Sequence, residues 1–461
     1  MLAAQRLLYC AAVLIAASCS TTPERNAVNT NGVIPSHWTA AKPSSAHIMD
    51  QWVNSFADPA LTALVNDALN NNFDLKAAAA RVDAAREQVG IEGAGRFPQL
   101  SFTPGYQTAQ VRDLGLDSSR FSAFEVLFSL SWEVDLWGRI KASQQAVRQE
   151  TAAVSADFQG ARLSLAARTA QSYFELIEAK LQAEVAEQSI KDRRTIVELV
   201  RGRFARGLTR GLDLRLALTD LANAEAQLAQ ARNQVQIVTR RLQVLLGIYP
   251  NASRNAIKRI ATTLPMPPAA LSAGLPSELL DRRPDLVAGF SRLRAMDSRV
   301  ESAKKALLPR ITLTARGGTS SPDLADLVDP RALAWNVAAG LMQPIFTGGR
   351  LKGEIRLNEA RTVEALNNYR SAALNAFREV EQTLAAEVWL RAQEHALKEA
   401  VEQTEASRRL AAYSYRQGLI EILTLLDSYR STLNAQSEYL SVQRQLLSNR
   451  IDLYLALGGG V

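Results

Sequence analysis

The sequence predicts a mixed α/β membrane fold written twice along one chain, each copy joining a β-hairpin to very long coiled-coil helices. Three observations predict it. Residue pairs recur at a constant offset of 211, two segments alternate apolar and polar residues, and two proline-free stretches exceed sixty residues each.

The duplication comes first, because an internal repeat decides how everything else is read. Asp74-Leu75 returns as Asp285-Leu286, Pro98 as Pro309, Gly138-Arg139 as Gly349-Arg350 and Gly207-Leu208 as Gly418-Leu419. Four matches in one register, running through helices, strands and turns, exceed what chance similarity of alanine-rich helices supplies. At 461 residues the chain is also longer than a single core usually serves.

At the N-terminus Arg6 precedes the apolar run Leu7 to Ala17, and Ser18-Cys19 follows. This order of charge, short apolar run and small residues reads as a signal peptide over residues 1–18. The run is too short to cross a bilayer as a mature helix. Ala16-Ala17-Ser18-Cys19 resembles a bacterial lipobox, in which the cysteine becomes the lipidated first residue, and Ser20 after it resembles the signal for release to the outer membrane. An ordinary signal-peptide cysteine is the alternative. Cys10 and Cys19 are the only cysteines, so cleavage before Cys19 excludes an internal disulfide or a thiolate zinc site in the mature chain.

An irregular tether is expected over 19–58, a first structural repeat over 59–250 with its hairpin at about 99–135, and a second over 285–461 with its hairpin at about 310–347. Between them 251–284 reads as an extended connector, since Leu264-Pro265-Met266-Pro267-Pro268 fixes φ and removes donors. Within each repeat the order is short helix, hairpin, very long helix, long helix. Asn72-Phe73-Asp74-Leu75 opens the first short helix and Arg283-Pro284-Asp285-Leu286 its twin, where proline suits the first helical position. Phe97-Pro98-Gln99-Leu100 and Leu308-Pro309-Arg310-Ile311 end those helices and start strands.

The strands show a period of two. Phe124, Val126, Phe128, Leu130, Trp132 and Val134 alternate with Glu125, Leu127, Ser129, Ser131 and Glu133. Trp335, Val337, Ala339 and Leu341 repeat the row, alternating with Asn336, Ala338, Gly340 and Met342. Ser101 to Val111 and Ile311 to Gly317 supply weaker preceding strands, with loops at Arg112 to Phe121 and Ser321 to Arg331. A soluble sheet could alternate in the same way. A transmembrane barrel strand needs about 9–11 residues with apolar groups toward lipid and polar groups toward the lumen, and Phe124 to Val134 has that length. Phe124, Val126, Phe128, Leu130, Trp132, Trp335, Val337 and Leu341 are then lipid-facing, and Glu125, Ser129, Ser131 and Glu133 lumen-facing. Four strands cannot enclose a wide lumen, and lipid tolerates no open edge, so strands from several subunits must be pooled.

From Arg139 to about Val200 there is no proline, which amounts to roughly 90 Å of helix, and Arg350 to about Tyr415 repeats the feature. Leu214, Leu221, Leu228, Val235 and Leu242 recur every seven residues, as do Leu426, Leu433, Leu440, Leu447 and Tyr454, and as do Ile140, Val147, Val154 and Ala161. Seven-residue spacing makes a coiled-coil seam. A self-contained helical bundle would share the seams but leave the hairpins without a purpose.

Catalytic chemistry finds little support. His37, His47 and His395 show no metal-ligand spacing. Gly317-Gly318 and Gly348-Gly349 lack the lysine and hydroxyl of a phosphate loop. Glu125 and Glu133 stand eight residues apart on a strand, too far to act on one bond. The net charge of +7 is scattered among acids, without the basic stripe that nucleic acid would require.

Five motifs in order carry a family resemblance: Phe97-Pro98-Gln99-Leu100, Asp135-Leu136-Trp137-Gly138-Arg139, Arg283-Pro284-Asp285-Leu286, Gln343-Pro344-Ile345-Phe346-Thr347-Gly348-Gly349-Arg350 and Ala456-Leu457-Gly458-Gly459-Gly460. They resemble the TolC superfamily of outer-membrane factors, most closely its OprM and NodT lipoprotein branch. The resemblance implies a homotrimer whose twelve-stranded barrel takes four strands from each protomer and stands on a long α-helical barrel in the periplasm. It implies a passive channel without catalysis or cofactor apart from an N-terminal lipid, working with a periplasmic adaptor and an inner-membrane RND transporter. Small amphipathic compounds, including drugs, are the favoured cargo; copper or silver export is the alternative. A periplasmic coiled-coil adaptor or scaffold is the reading from another class, although an adaptor would carry a lipoyl-like β domain between its helical arms.

Ile422-Leu423-Thr424-Leu425-Leu426-Asp427 is similar to the periplasmic constriction of the OprM branch. By that resemblance Leu423 and Asp427 fall on the ring-forming leucine and aspartate. Thr424 and Ile420 depart from TolC itself, which has aspartate and a latch arginine there. Seam packing for Leu423 and a solvated role for Asp427 are the bland alternative.

Overall fold

The computed structural model describes residues 25, 34–40, 51–111, 119–251, 260–268 and 274–460. The signal peptide, Cys19, most of the tether and the tip of the first hairpin loop lie outside the described residues. The first copy runs α1 (Pro59–Asn71), α2 (Phe73–Ala94), β1 (Gln99–Val111), β2 (Ser119–Val134), α3 (Arg139–Ala205) and α4 (Gly211–Leu245). The second runs α5 (Pro284–Lys305), β3 (Arg310–Ser321), β4 (Leu333–Met342), α6 (Arg350–Gln417) and α7 (Ile422–Ala456). α2 and α5 begin and end 211 positions apart, and so do α4 and α7. The duplication therefore holds at the level of helix ends.

One helix departs from the expected order. α1 occupies residues placed at the edge of the tether, started by Asp58, whose carboxylate accepts from the backbone N–H of Ala60 and Leu61 while Pro59 takes the first turn. Its counterpart in the second copy is reduced to a short helix, Leu279–Arg282. β3 also runs past Gly317 to Ser321, because pairing with β2 continues where side-chain hydropathy has stopped signalling a strand.

The chain forms two compact units. The first comprises the described residues of 81–155 and 288–371, together with Arg25. It holds an antiparallel sheet in the order β1-β2-β3-β4, so the inner ladder β2–β3 joins the two copies. The step from sheet to helix is built by Asp135, which accepts from the N–H of Ile140 and Lys141 at 3.0 and 2.7 Å and so caps α3. Gly138 takes φ 74° between them, a left-handed turn that glycine adopts without steric cost. Trp137 donates its indole N–H to the Pro309 carbonyl at 2.7 Å, tying that corner to the start of β3. α3 is held to α2 by Thr151 on the Ala85 carbonyl, and to α5 by Ser302 on the Arg139 carbonyl.

The second unit comprises 31–80, 156–287 and 372–461, and in it α3 bonds α4, α7 and α6, while α7 also meets α4 and α6. Arg241 and Arg232 of α4 reach Glu175 and Glu187 of α3 at 2.7 and 2.9 Å. Arg444 of α7 reaches Glu178 of α3 at 2.5 Å, and Gln182 donates to the Ser437 carbonyl. On its other side α7 bonds α6 through Asn449 and Thr432, which donate to the carbonyls of Thr383 and Thr404. Beneath this polar lacing Tyr173, Phe174, Ile177, Val238, Leu242, Leu447, Ile451 and Tyr454 form one core, closed by Trp52 stacked on Tyr454 at 5.4 Å. The expected seam of α4 reaches the core at Leu242 and is partly buried elsewhere. Leu214, Leu221, Leu228 and Val235 are partly buried and only Leu242 is buried fully, while Ala217, Ala224 and Val238, three residues beyond Leu214, Leu221 and Val235, are also buried fully; the alanines let the helices approach closely. Gly247 ends α4 at φ 71°, where an added Cβ would stand 2.7 Å from the Asn71 carbonyl oxygen, so this return toward α1 accepts only glycine.

Candidate functional site

Residues opposite one another in a ladder point to the same side of the sheet, so the pairings settle which side chains share a face. Phe128 lies opposite Phe102 and Gly317, Leu130 opposite Leu100 and Ala315, and those β3 residues lie opposite Trp335 and Val337. Ile311 links Val134 to Leu341. All eight side chains expected on the lipid side therefore occupy one face, although they come from both copies. Glu125, Ser129, Ser131 and Glu133 occupy the other, in company with Gln107, Arg316 and Asn336. Gln107 donates to Glu125 at 2.9 Å, and Glu133 receives Arg139 at 2.8 Å at the head of α3. The apolar face of β1 escaped sequence reading. Leu100, Phe102 and Tyr106 continue it, with Phe102 against Phe128 at 5.0 Å and Tyr106 against Phe124 at 4.6 Å. Pro104-Gly105 interrupts the alternation there, and that hid the signal.

Far along the chain from the sheet, in the second unit, two turns join α3 to α4 and α6 to α7. Each ends its long helix with a left-handed glycine, Gly207 at φ 74° and Gly418 at φ 76°. Leu208 N–H reaches back to the Arg203 carbonyl and Leu419 N–H to the Ser414 carbonyl at 3.0 and 2.9 Å, the same helix-ending bond in both copies. The following helices start differently. Asp213 accepts from Thr209 and from the Arg210 N–H, whereas Thr424 stands at the equivalent position and Glu421 makes no side-chain cap. Arg203 ties the turns together: its guanidinium donates to the carbonyls of Tyr415 and Arg416 at 3.4 Å and lies 5.3 Å over the Tyr415 ring. Sequence reading missed Arg203, whose repeat partner is the serine Ser414.

α7 begins with one face packed and one free. Ile422, Leu425 and Leu426 are buried against Val197, Val200, Ala217 and Tyr415, while Leu423 is 58% exposed and Asp427, one turn on, is exposed beside it. Within the protomer Leu426, not Leu423, packs into the seam. Behind Asp427 a charged cluster braces the hairpins. Buried Arg193 reaches Asp220 at 2.7 Å and Arg430 approaches the same carboxylate at 3.7 Å. Burial pushes the hydroxyls of Tyr415 and Tyr429 above the usual tyrosine range, so neither carries charge at neutral pH.

The family described as outer membrane efflux protein matches this chain twice, over residues 64–248 and 275–459. The chain belongs to the outer membrane efflux protein family. It is 32% identical to the pyoverdine export outer membrane protein OpmQ of Pseudomonas putida, over 97% of this chain and 95% of that protein. It is 32% identical to the toluene efflux pump outer membrane protein TtgF of Pseudomonas putida, covering 89% and 85%, and 30% identical to the cation efflux system protein CusC of Escherichia coli, covering 89% and 88%. Among solved structures, the CmeC outer membrane channel of Campylobacter jejuni superposes with a TM-score of 0.87 at 25% identity, over 96% of this chain and 95% of that one. This family member is an outer-membrane channel subunit of a tripartite efflux system, a trimer acting with an adaptor and an RND transporter and extended by helices into the periplasm. Among the described residues no helix is long and apolar enough to cross a membrane, which says nothing of a β-barrel.

Proposed function

We propose that the trimer is the outer-membrane exit for small amphipathic compounds, including drugs, held in the membrane by a lipid on Cys19 and closed at rest by rings of Leu423 and Asp427. The observation that carries the gate is the exposed Leu423–Asp427 pair on a helix whose opposite face is packed. Three-fold symmetry multiplies each exposed side chain by three at an axis. An apolar ring opposes hydrated solutes and an acidic ring repels anions, as constrictions in channels do. In the same reading the face of Phe128 meets lipid and the face of Ser129 lines the lumen. The chain divides into a signal peptide (1–18), tether (19–58), first repeat (59–250), connector (251–284) and second repeat (285–461).

For the cargo, pyoverdine and toluene appear in the names of two relatives and cations in a third. Copper(I) handling favours soft thioether ligands, and the mature chain keeps only Met49, Met266, Met296 and Met342, widely spaced in sequence. Deleting the gene is expected to lower tolerance to amphipathic drugs while leaving copper tolerance in place; loss of copper tolerance alone overturns the choice. For the anchor, labelled palmitate is expected to enter the native protein and to be absent after Cys19→Ser. Equal labelling of the two removes Cys19 as the attachment point.

A further inference from the structure

Among the described residues the two strands with a free edge are β1 and β4, so closing a barrel requires β4 of one protomer to pair with β1 of the next. We infer that this seam between copies repeats the register of the β2–β3 ladder, placing Val337 of one copy opposite Thr108 of the next and Asn336 opposite Ala109. The inference rests on the trimer stated above and is independent of the gate.

Repeat equivalence carries it. The β1–β2 hairpin pairs Gln99 with Ser131 and the β3–β4 hairpin pairs Arg310 with Met342, and both residues of the second pair lie 211 beyond those of the first. The hairpins are therefore copies in register as well as in sequence. The β2–β3 ladder is the contact between the second strand of one repeat and the first strand of the other. The seam is the same kind of contact with the repeats exchanged. Carrying the offset across, Val126–Thr319 becomes Val337–Thr108, and Glu125–Ser320 becomes Asn336–Ala109.

Two further observations agree. A slip by one residue would turn the apolar face of β4 against the polar face of β1, whereas this register keeps Val337 with Thr108 and Leu341 with Pro104 on the side of Phe128. It also carries Val134–Ile311 over to Ile345–Leu100. Those two apolar side chains are 96% and 68% exposed in the protomer, and the seam covers each with the other. One position differs. A Cβ at Gly318 would stand 1.9 Å from the Val126 carbonyl oxygen, and its counterpart in β1 is Gln107, so the seam strands stand further apart there than β2 and β3 do.

The register fixes the barrel's width. Following the pairings from Leu100 to Leu130, Ala315 and Val337, then across the seam to Thr108, returns to β1 eight residues further on. Three protomers accumulate a stagger of about 24 residues over twelve strands, which tilts the strands by roughly 50–55° against the usual 35–45°. At that tilt twelve strands enclose a barrel roughly 30 Å across between backbones, against roughly 24 Å at 40°.

Disulfide trapping tests the register. Ala109→Cys is combined in turn with Asn336→Cys, Ala334→Cys and Ala338→Cys, and on the other face Thr108→Cys with Val337→Cys, Trp335→Cys and Ala339→Cys. Each variant is first run unheated in detergent to show the heat-modifiable trimer. Mild oxidation is expected to give covalent dimers and trimers on non-reducing gels for Ala109 with Asn336 or for Thr108 with Val337, several-fold more than for the slipped pairs. Stronger trapping of slipped pairs overturns the register, as does an intact trimer that traps no pair on either face. Failure of the native chain to form any trimer removes the seam and the trimer together.

Discussion

Replacing Leu423 and Asp427 together by alanine is expected to open a nearly closed channel. In planar bilayers the native trimer should show low single-channel conductance, each single variant a partial rise, and Leu423→Ala/Asp427→Ala the largest rise with reduced cation preference. The reason is local. Ile422, Leu425 and Leu426 anchor the start of α7, so truncating the two exposed side chains removes the constriction without loosening the helix that presents it. A double variant that stays trimeric with native conductance and ion preference places the gate elsewhere.

The second large effect concerns the faces of the sheet. Phe128→Lys is expected to cost about 2–4 kcal/mol near the membrane midplane, and Ser129→Lys much less. At Phe128 the change also breaks the ring contact with Phe102, a further ~0.5–1.5 kcal/mol. At Ser129 the new charge stands opposite Arg316, an exposed repulsion of ~1 kcal/mol or less in water. Heat-modifiable trimer yield reads the difference. Equal yields for the two variants would sink the assignment of lipid and lumen sides.

Much of the architecture was legible because its signals are periodic. β2 alternates without a break from Phe124 to Val134, and the proline-free stretches marked α3 and α6 within a few residues of Ala205 and Gln417. What stayed hidden lacks such a period. The end of β3 is Gly317-Gly318-Thr319-Ser320-Ser321, held as a strand by its partner β2, and pairing leaves no trace in one segment's hydropathy. α1 begins at a single aspartate–proline pair, with no periodic signal before it. The alanines that fill the α4 seam read as neutral, since their role is to be small. At the turns, resemblance supplied Leu423 and Asp427, but only the packing of α7 separates them from their buried neighbours Ile422 and Leu426. Arg203 could not have been found by comparing repeats, because the second copy has serine there.

The β2–β3 ladder has a consequence in time. The two hairpins close over short loops and are the kind of contact that forms in about 1–10 μs. Val134 meets Ile311 only after the whole of α3, α4 and α5 has intervened, and loop-closure entropy makes so non-local a contact late. Helices whose contacts are local therefore precede the sheet, and within the sheet the inner ladder follows both hairpins. Among the described residues the outer edges of β1 and β4 have no partner, so the final step of folding depends on how many other protomers are present.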